Sequence, residues 1–166
     1  MNLQRSLPRR SGRGKTPARG FSLIELLVVV AIIGIIAAIA TPNLIASRRA
    51  ANEASAISAV RTLSSTEMTY RETYGARTTY ADMAELRARQ LIDSALGNAT
   101  TTANAKSGYV FNVTLPADAS SYVIGAGAVS NLSGSRRFSS DLPGVIYYDE
   151  TDVTTLPTSI SGTPIH

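Results

Sequence analysis

Phe21 to Ala40 is a run of twenty residues, apolar except for Ser22, Glu25 and the small Gly34. As a helix rising ~1.5 Å per residue it spans ~30 Å, the thickness of a bilayer's hydrocarbon core. Its place is therefore in lipid or inside a bundle of like helices. Glu25 stands near its start, where a charge on a lipid-facing helix costs roughly 2.5–3.5 kcal/mol on insertion scales and less at the interface. Intramembrane acids mark function by default, so Glu25 is the first candidate. Ser22-x-x-Glu25 also reads as a capping box, in which both side chains bond the first exposed backbone N–H groups, and the two readings are compatible. Six basic residues precede the run: Arg5, Arg9, Arg10, Arg13, Lys15 and Arg19.

The segment Gly20-Phe21-Ser22-Leu23-Ile24-Glu25-Leu26-Leu27-Val28-Val29-Val30, with Pro42 just beyond the apolar stretch, resembles the N-terminal signal of type IV prepilins and type II secretion pseudopilins. The likeness is close from Gly20 to about Tyr74 and architectural beyond. It implies that a prepilin peptidase cuts between Gly20 and Phe21 on the cytoplasmic side and that Phe21 becomes the N-methylated first residue. It further implies that Glu25 meets the amine of a neighbouring subunit's Phe21 during assembly.

On that reading residues 1–20 form a removable leader. Losing it lowers Lys plus Arg from 16 to 10 against 12 Asp plus Glu, so the net charge of +4 becomes −2. The basic character belongs to the leader, and no nucleic-acid partner is expected. Under the positive-inside rule residues 1–20 stay cytoplasmic while the rest is exported. The absence of cysteine excludes a thiol nucleophile, a thiolate metal site and any disulfide. Many type IVa pilins close a C-terminal loop with a disulfide, so this chain needs another device there. The length suits one domain plus an anchor, and no internal repeat is visible.

Residues 21–42 read as the transmembrane or filament-core half of a long helix, and 43–75 as its amphipathic half. Gly34 and Pro42 mark an expected kink, because a proline gives no N–H to the carbonyl four residues back, here Ala38. Ala54, Ile57, Val60, Leu63, Met68, Tyr70 and Tyr74 make the apolar side, opposite Arg49, Glu53, Arg61, Glu67 and Arg71. Gly75 is the expected stop. Residues 76–108 connect helix to sheet, with helical texture from Tyr80 to Leu96 and a polar loop from Asn98 to Lys106.

From Tyr109 the period changes to two. Strands are expected at Tyr109–Leu115, Ser121–Val129 (weakened or bulged by Gly125 and Gly127), Arg136–Ser140 and Val145–Tyr148, the last two joined by a Leu142-Pro143-Gly144 turn. Residues 109–150 thus hold an antiparallel sheet of three to four strands, and 151–166 an extended tail. The fold class is α+β, with the amphipathic half of the helix covering one face of the sheet.

Catalysis finds little support. The single histidine is His166, so a Ser-His-Asp triad would need a chain terminus held rigidly. The seven tyrosines suit the core and rim of the helix–sheet contact. Asp141, Asp149, Glu150 and Asp152 are weak candidates for Ca²⁺, which takes six to eight oxygen ligands; major pseudopilins resembling this chain use calcium in their C-terminal loops. Otherwise no cofactor is expected. Asn98-Ala99-Thr100, Asn112-Val113-Thr114 and Asn131-Leu132-Ser133 match the glycosylation triplet, as expected by chance in a chain this rich in Ser and Thr.

The resemblance implies a structural subunit, stored in the inner membrane as a single-pass precursor and polymerised into a periplasmic or cell-surface filament. Its expected partners are itself, the prepilin peptidase, membrane lipid, and an assembly platform with a motor ATPase, since the chain has no phosphate-binding loop. Major pilins, minor pilins and pseudopilins share this N-terminus; a small cysteine-free domain leans towards pseudopilin-like or divergent major pilins. The rival from another class is a secreted or anchored binding protein, because Ala38-Ile39-Ala40 offers a small-x-small site for ordinary signal peptidase.

Overall fold

A computed structural model of the chain describes residues 20–142 and 144–165. The basic leader before Gly20, Pro143 of the expected turn and His166 lie outside these residues. The chain divides after Ile39 into two compact units.

In the first unit the helix α1, Leu23–Thr73, begins as the apolar pattern requires. The Leu26 N–H donates to the Ser22 carbonyl at 3.2 Å. Every residue from Gly20 to Ile39 is exposed, and the stretch is long and apolar enough to cross a membrane. The helical assignment continues through Gly34 and Pro42.

In the second unit α1 buries Glu53, Ala56, Ala59, Val60, Leu63, Thr66 and Glu67. Glu53, Ala56, Val60, Leu63 and Glu67 follow one another at intervals of three and four, so they form one stripe along the helix. The stripe is rotated from the expected apolar side: Ala54 is exposed and Ile57 half-buried. Two acids assigned to the solvent face, Glu53 and Glu67, lie in the core layer, 4% and 0% exposed. They are fourteen positions apart, close to four helical turns, and therefore share the azimuth of Val60.

Gly75 follows the end of α1, and a Cβ there would collide with the Thr79 carbonyl, because the chain folds back sharply to Tyr80. The stretch expected to be helical from Tyr80 to Leu96 is split in two. α2, Met83–Ala88, is capped by Asp82, whose carboxylate accepts the Glu85 N–H; α3, Ser94–Gly97, is capped by Asp93, which accepts the Leu96 N–H. Between them Gln90 takes a left-handed φ of 58°, and the Leu91 N–H reaches back to the Leu86 carbonyl, which ends α2.

The sheet has five antiparallel strands in chain order: β1 Tyr109–Thr114, β2 Val123–Ala128, β3 Arg137–Ser140, β4 Ile146–Asp149 and β5 Thr163–Pro164. The first four match expectation to within two residues at each end. The fifth comes from the expected tail and pairs Tyr148 with Thr163. Phe111, Ala126, Phe138 and Tyr148 stand side by side across four strands, as do Val113, Ile124, Ser140 and Ile146. Small Ala126 between two phenylalanines leaves room for the helix, and these residues form the core with Ala56, Ala59, Val60 and Leu63.

The register of β1 with β2 runs unbroken through Gly125 and Gly127, so neither makes a bulge. Their role is close approach. A Cβ on Gly125 would collide with the Pro157 carbonyl, and one on Gly127 would lie 3.4 Å from the Thr155 carbonyl. The stretch from Val153 to Pro157 crosses this side of the sheet, and the Val153 carbonyl accepts the Ala128 N–H at 2.8 Å. Val153 and Pro157 are buried. The expected extended tail thus supplies a second covering layer.

Candidate functional site

The N-terminal constellation sits on the first turn of α1. Gly20 is exposed, a Cβ there would meet no atom within 4 Å among the described residues, and Phe21 is 77% exposed. Glu25 lies in the first helical turn, where a carboxylate complements the unpaired N–H groups and positive end of the helix dipole. It is exposed within a surface that otherwise reads Leu23, Ile24, Leu26, Leu27, Val28, Val29 and Val30. Such a stretch can do two things: present a cleavable Gly–Phe bond beside an apolar helix, and offer one anion inside an apolar contact. Apart from its own helical turn, a Cβ on Gly34 would meet no atom within 4 Å among the described residues.

The acidic residues near the C-terminus have other work. Asp149 accepts from Arg137 at 2.7 Å, from the Thr151 N–H and hydroxyl at 2.8 and 2.7 Å, and from the Ser161 hydroxyl at 3.3 Å. It therefore ties β3, β4 and the returning strand together, the device that a cysteine-free C-terminal region needs. The Thr151 hydroxyl and N–H and the Arg137 guanidinium hold its carboxyl well below the usual carboxylate range. Asp152 accepts the Thr155 hydroxyl at 2.6 Å. Among the described residues no three acids, histidines or cysteines gather into a group that could hold a metal. Glu150 and Asp152 instead line an open recess of about 640 Å³ with Arg49, and Asp141 lies apart from it.

Glu53 is the contact that the charge pattern hid. Its Oε1 accepts the Ser135 N–H and hydroxyl at 2.8 and 2.7 Å, and its Oε2 accepts Arg136 Nε at 2.9 Å and a terminal guanidinium nitrogen at 2.7 Å. Burial alone would push this carboxyl up, but the donors of Ser135 and Arg136 outweigh it and hold the group below its ordinary value. Arg136 in turn stands 5.2 Å over the Tyr148 ring. Only the two-heptad spacing of Glu53 and Glu67 around Val60 signals this in the sequence. The tyrosines divide as expected: Tyr80, Tyr109 and Tyr122 are buried, Tyr70, Tyr147 and Tyr148 half-buried, and Tyr74 is exposed.

Of the glycosylation triplets, Asn98 caps the end of α3 and Asn112 lies within β1 with its amide on the Thr114 hydroxyl, while Asn131 is exposed between β2 and β3.

Residues 15–41 match the prokaryotic N-terminal methylation motif. The type IV wide pilus major component PilA4 of Thermus thermophilus is 61% identical over 36 residues, which cover 22% of this chain and 28% of that protein. The type IV major pilin protein PilA of Myxococcus xanthus is 39% identical over 66 residues, covering 40% of this chain and 29% of that protein. The matched stretches thus span less than a third of these relatives' own length. No solved structure matches the chain.

Proposed function

We propose that this chain, of the type IV pilin family by its N-terminal segment, is a structural subunit that polymerises through α1 into a pilus-like or pseudopilus filament. The carrying observation is the stretch Phe21–Ile39, helical from Leu23, apolar and uncovered by the other described residues, with Glu25 as its single charge. Prepilin peptidase cuts between Gly20 and Phe21, the amine of Phe21 is methylated, and the helix waits in the inner-membrane lipid with its N-terminus cytoplasmic. A platform with a motor ATPase then draws it into a bundle of identical helices and out to the periplasm or cell surface. Gly34 and Pro42 are the points at which the helix bends as it leaves the bilayer.

Moving a helix from lipid into a bundle changes apolar burial little, so direction must come from elsewhere. An unpaired Glu25 and an unpaired amine are each costly in a dry bundle, and paired they offset one another. A head-to-tail contact of this kind does not close on itself and generates a helical filament. The names of the two relatives, a wide-pilus major component and a major pilin, favour the pilus over the pseudopilus.

The test is Glu25→Gln, measured as surface filament yield beside processed subunit in the membrane fraction. Glutamine also serves in a capping box, so a cap alone predicts normal filaments. Pairing predicts lost filaments with cleavage and insertion intact, since one broken buried pair costs about 3–5 kcal/mol and the loss repeats at every subunit. Normal filaments would refute the pairing, and a mature protein beginning at Thr41 would refute the processing.

A further inference from the structure

Glu67 takes no part in the filament reading, yet it is the most deeply buried charged side chain described, with 0% exposure. Its Oε2 accepts the Ala81 N–H at 3.1 Å, while Oε1, also buried, has no hydrogen-bond partner among the described residues. A carboxylate usually finds several donors when buried, because an ionised group out of water is costly unless paired. Here a neighbouring charge works against it: Asp82, in the same short segment as Ala81, adds negative potential.

The other groups facing this site are aromatic or distant. Tyr80 and Tyr122 stack edge to face, ring centroids 4.9 Å apart. The Tyr122 hydroxyl is raised to about 12 by burial, with Ser64 acting the other way and Glu67, Tyr80 and Asp141 adding to it. From α1 itself, Arg71 sits 5.7 Å over the Tyr80 ring rather than on the carboxylate, and Arg61 is exposed. No cation neutralises Glu67 among the described contacts.

The element that Glu67 holds is short and irregular. From Gly75 to Asp82 the chain runs outside regular structure, with Ala76 and Arg77 at left-handed φ values of 50° and 64°. Its backbone tie to the sheet side is the Tyr80 N–H on the Ala119 carbonyl at 2.9 Å. Such a segment opens at less cost than a strand or helix.

We propose that Glu67 is a proton-operated latch on the segment Gly75–Asp82: protonated, it lets this segment close dry against α1, and ionised, it draws water in and opens it. A neutral carboxyl still accepts the Ala81 N–H and needs little hydration. An ionised one has a single donor, faces Asp82, and is hydrated only by parting Tyr80–Asp82 from the helix. Its proton leaves to solvent. Burial first, then Asp82, raise the group to about 7, with the Ala81 N–H acting the other way. The raised value gives the sign: the closed segment is most stable below the free carboxyl's value near 4.3 and loses stability as pH rises to about 7, after which the effect is complete. The latch governs a rim that carries exposed Tyr74, with the Arg89 guanidinium 4.7 Å over its ring.

The experiment is hydrogen exchange on the full chain in detergent micelles, with rates corrected for intrinsic pH dependence. A His166→Gln background removes the only histidine from the titration window. Opening at the Ala81 amide should rise about tenfold per pH unit from 5 to 7, roughly a hundredfold in all, and be flat above about 7.5. In Glu67→Gln it should be flat throughout. A flat wild-type profile, or the same slope in the glutamine variant, overturns the latch. Carbon-13 titration of the Glu67 carboxyl in the wild-type chain decides the matter even if the variant does not fold: a midpoint near 7 supports the latch, and one near 4.5 removes it.

Discussion

Two stretches of the same helix carry similar apolar content and meet opposite fates. Leu26–Ile39 exposes every leucine, isoleucine and valine, whereas Ala56, Val60 and Leu63 are almost wholly buried. The second stretch is covered because β1, β2 and β3 present Phe111, Ile124 and Phe138 to it. Nothing comparable among the described residues covers the first. Apolar pattern says that a surface will be covered; only the rest of the chain says by what. The uncovered stretch is continuous and carries no charge beyond Glu25 at its start, while the covered stretch sets small residues beside two buried acids, of which Glu53 finds its donors next to the sheet.

The comparison can be broken most directly with a matched pair. Leu63→Ala should cost about 2–5 kcal/mol of stability, the range for truncating a buried leucine. Leu27→Ala should leave the unfolding midpoint of the detergent-solubilised chain unchanged, since Leu27 is 57% exposed. Equal losses in thermal melts would mean that the first stretch is packed after all. A chain beginning at Ala46 should likewise melt cooperatively by itself.

A smaller effect sharpens the account of the buried acids. Glu53→Ala removes four donor contacts and strands Arg136, for which breaking a buried pair costs about 3–5 kcal/mol. Arg136 is partly exposed, so the lower edge, about 3 kcal/mol, is expected in urea unfolding. Were Glu53 the solvent-face residue that its charge suggests, the change would stay within about 0.5 kcal/mol.

The smallest effect concerns the clasp. Asp149 has its carboxyl held low, so its contribution is present above the unfolded value near 3.9 and fades as pH falls below it towards the folded value. Asp149→Asn should therefore flatten the acid limb of the unfolding midpoint below about pH 4 and change its slope little between pH 5 and 8. An unchanged acid limb would show that Thr151 and Arg137 hold the C-terminal region without it.

The sequence made the strands legible because their alternation is bracketed by Pro116, Gly108 and polar turns, and their ends fall within two residues of expectation. β5 was hidden because two residues, one of them proline, carry no period. The break between α2 and α3 was hidden because Gln90, not glycine, takes the left-handed position. Gly125 read as a bulge because sequence cannot show Pro157 lying across it, thirty-two positions on. Glu53 was misplaced for the same reason: its donors, Ser135 and Arg136, come from the far side of the chain. Asp82 and Asp93 each stand three residues before the N–H they cap, a local signal of two helices that the single expected stretch Tyr80–Leu96 ran together.

The order of the sheet, each strand beside its predecessor, bears on how such a chain is made. Every pairing from β1 to β5 joins neighbours in sequence, so the sheet has low contact order and can grow one hairpin at a time. The exception is α1, synthesised first, whose Asn52 and Glu53 bond residues 81 to 83 positions later. Glu53 thus stays unmatched until the link between β2 and β3 has been made. Chains halted before Ser135 would carry an unneutralised Glu53, a ready mark by which incomplete chains differ from finished ones.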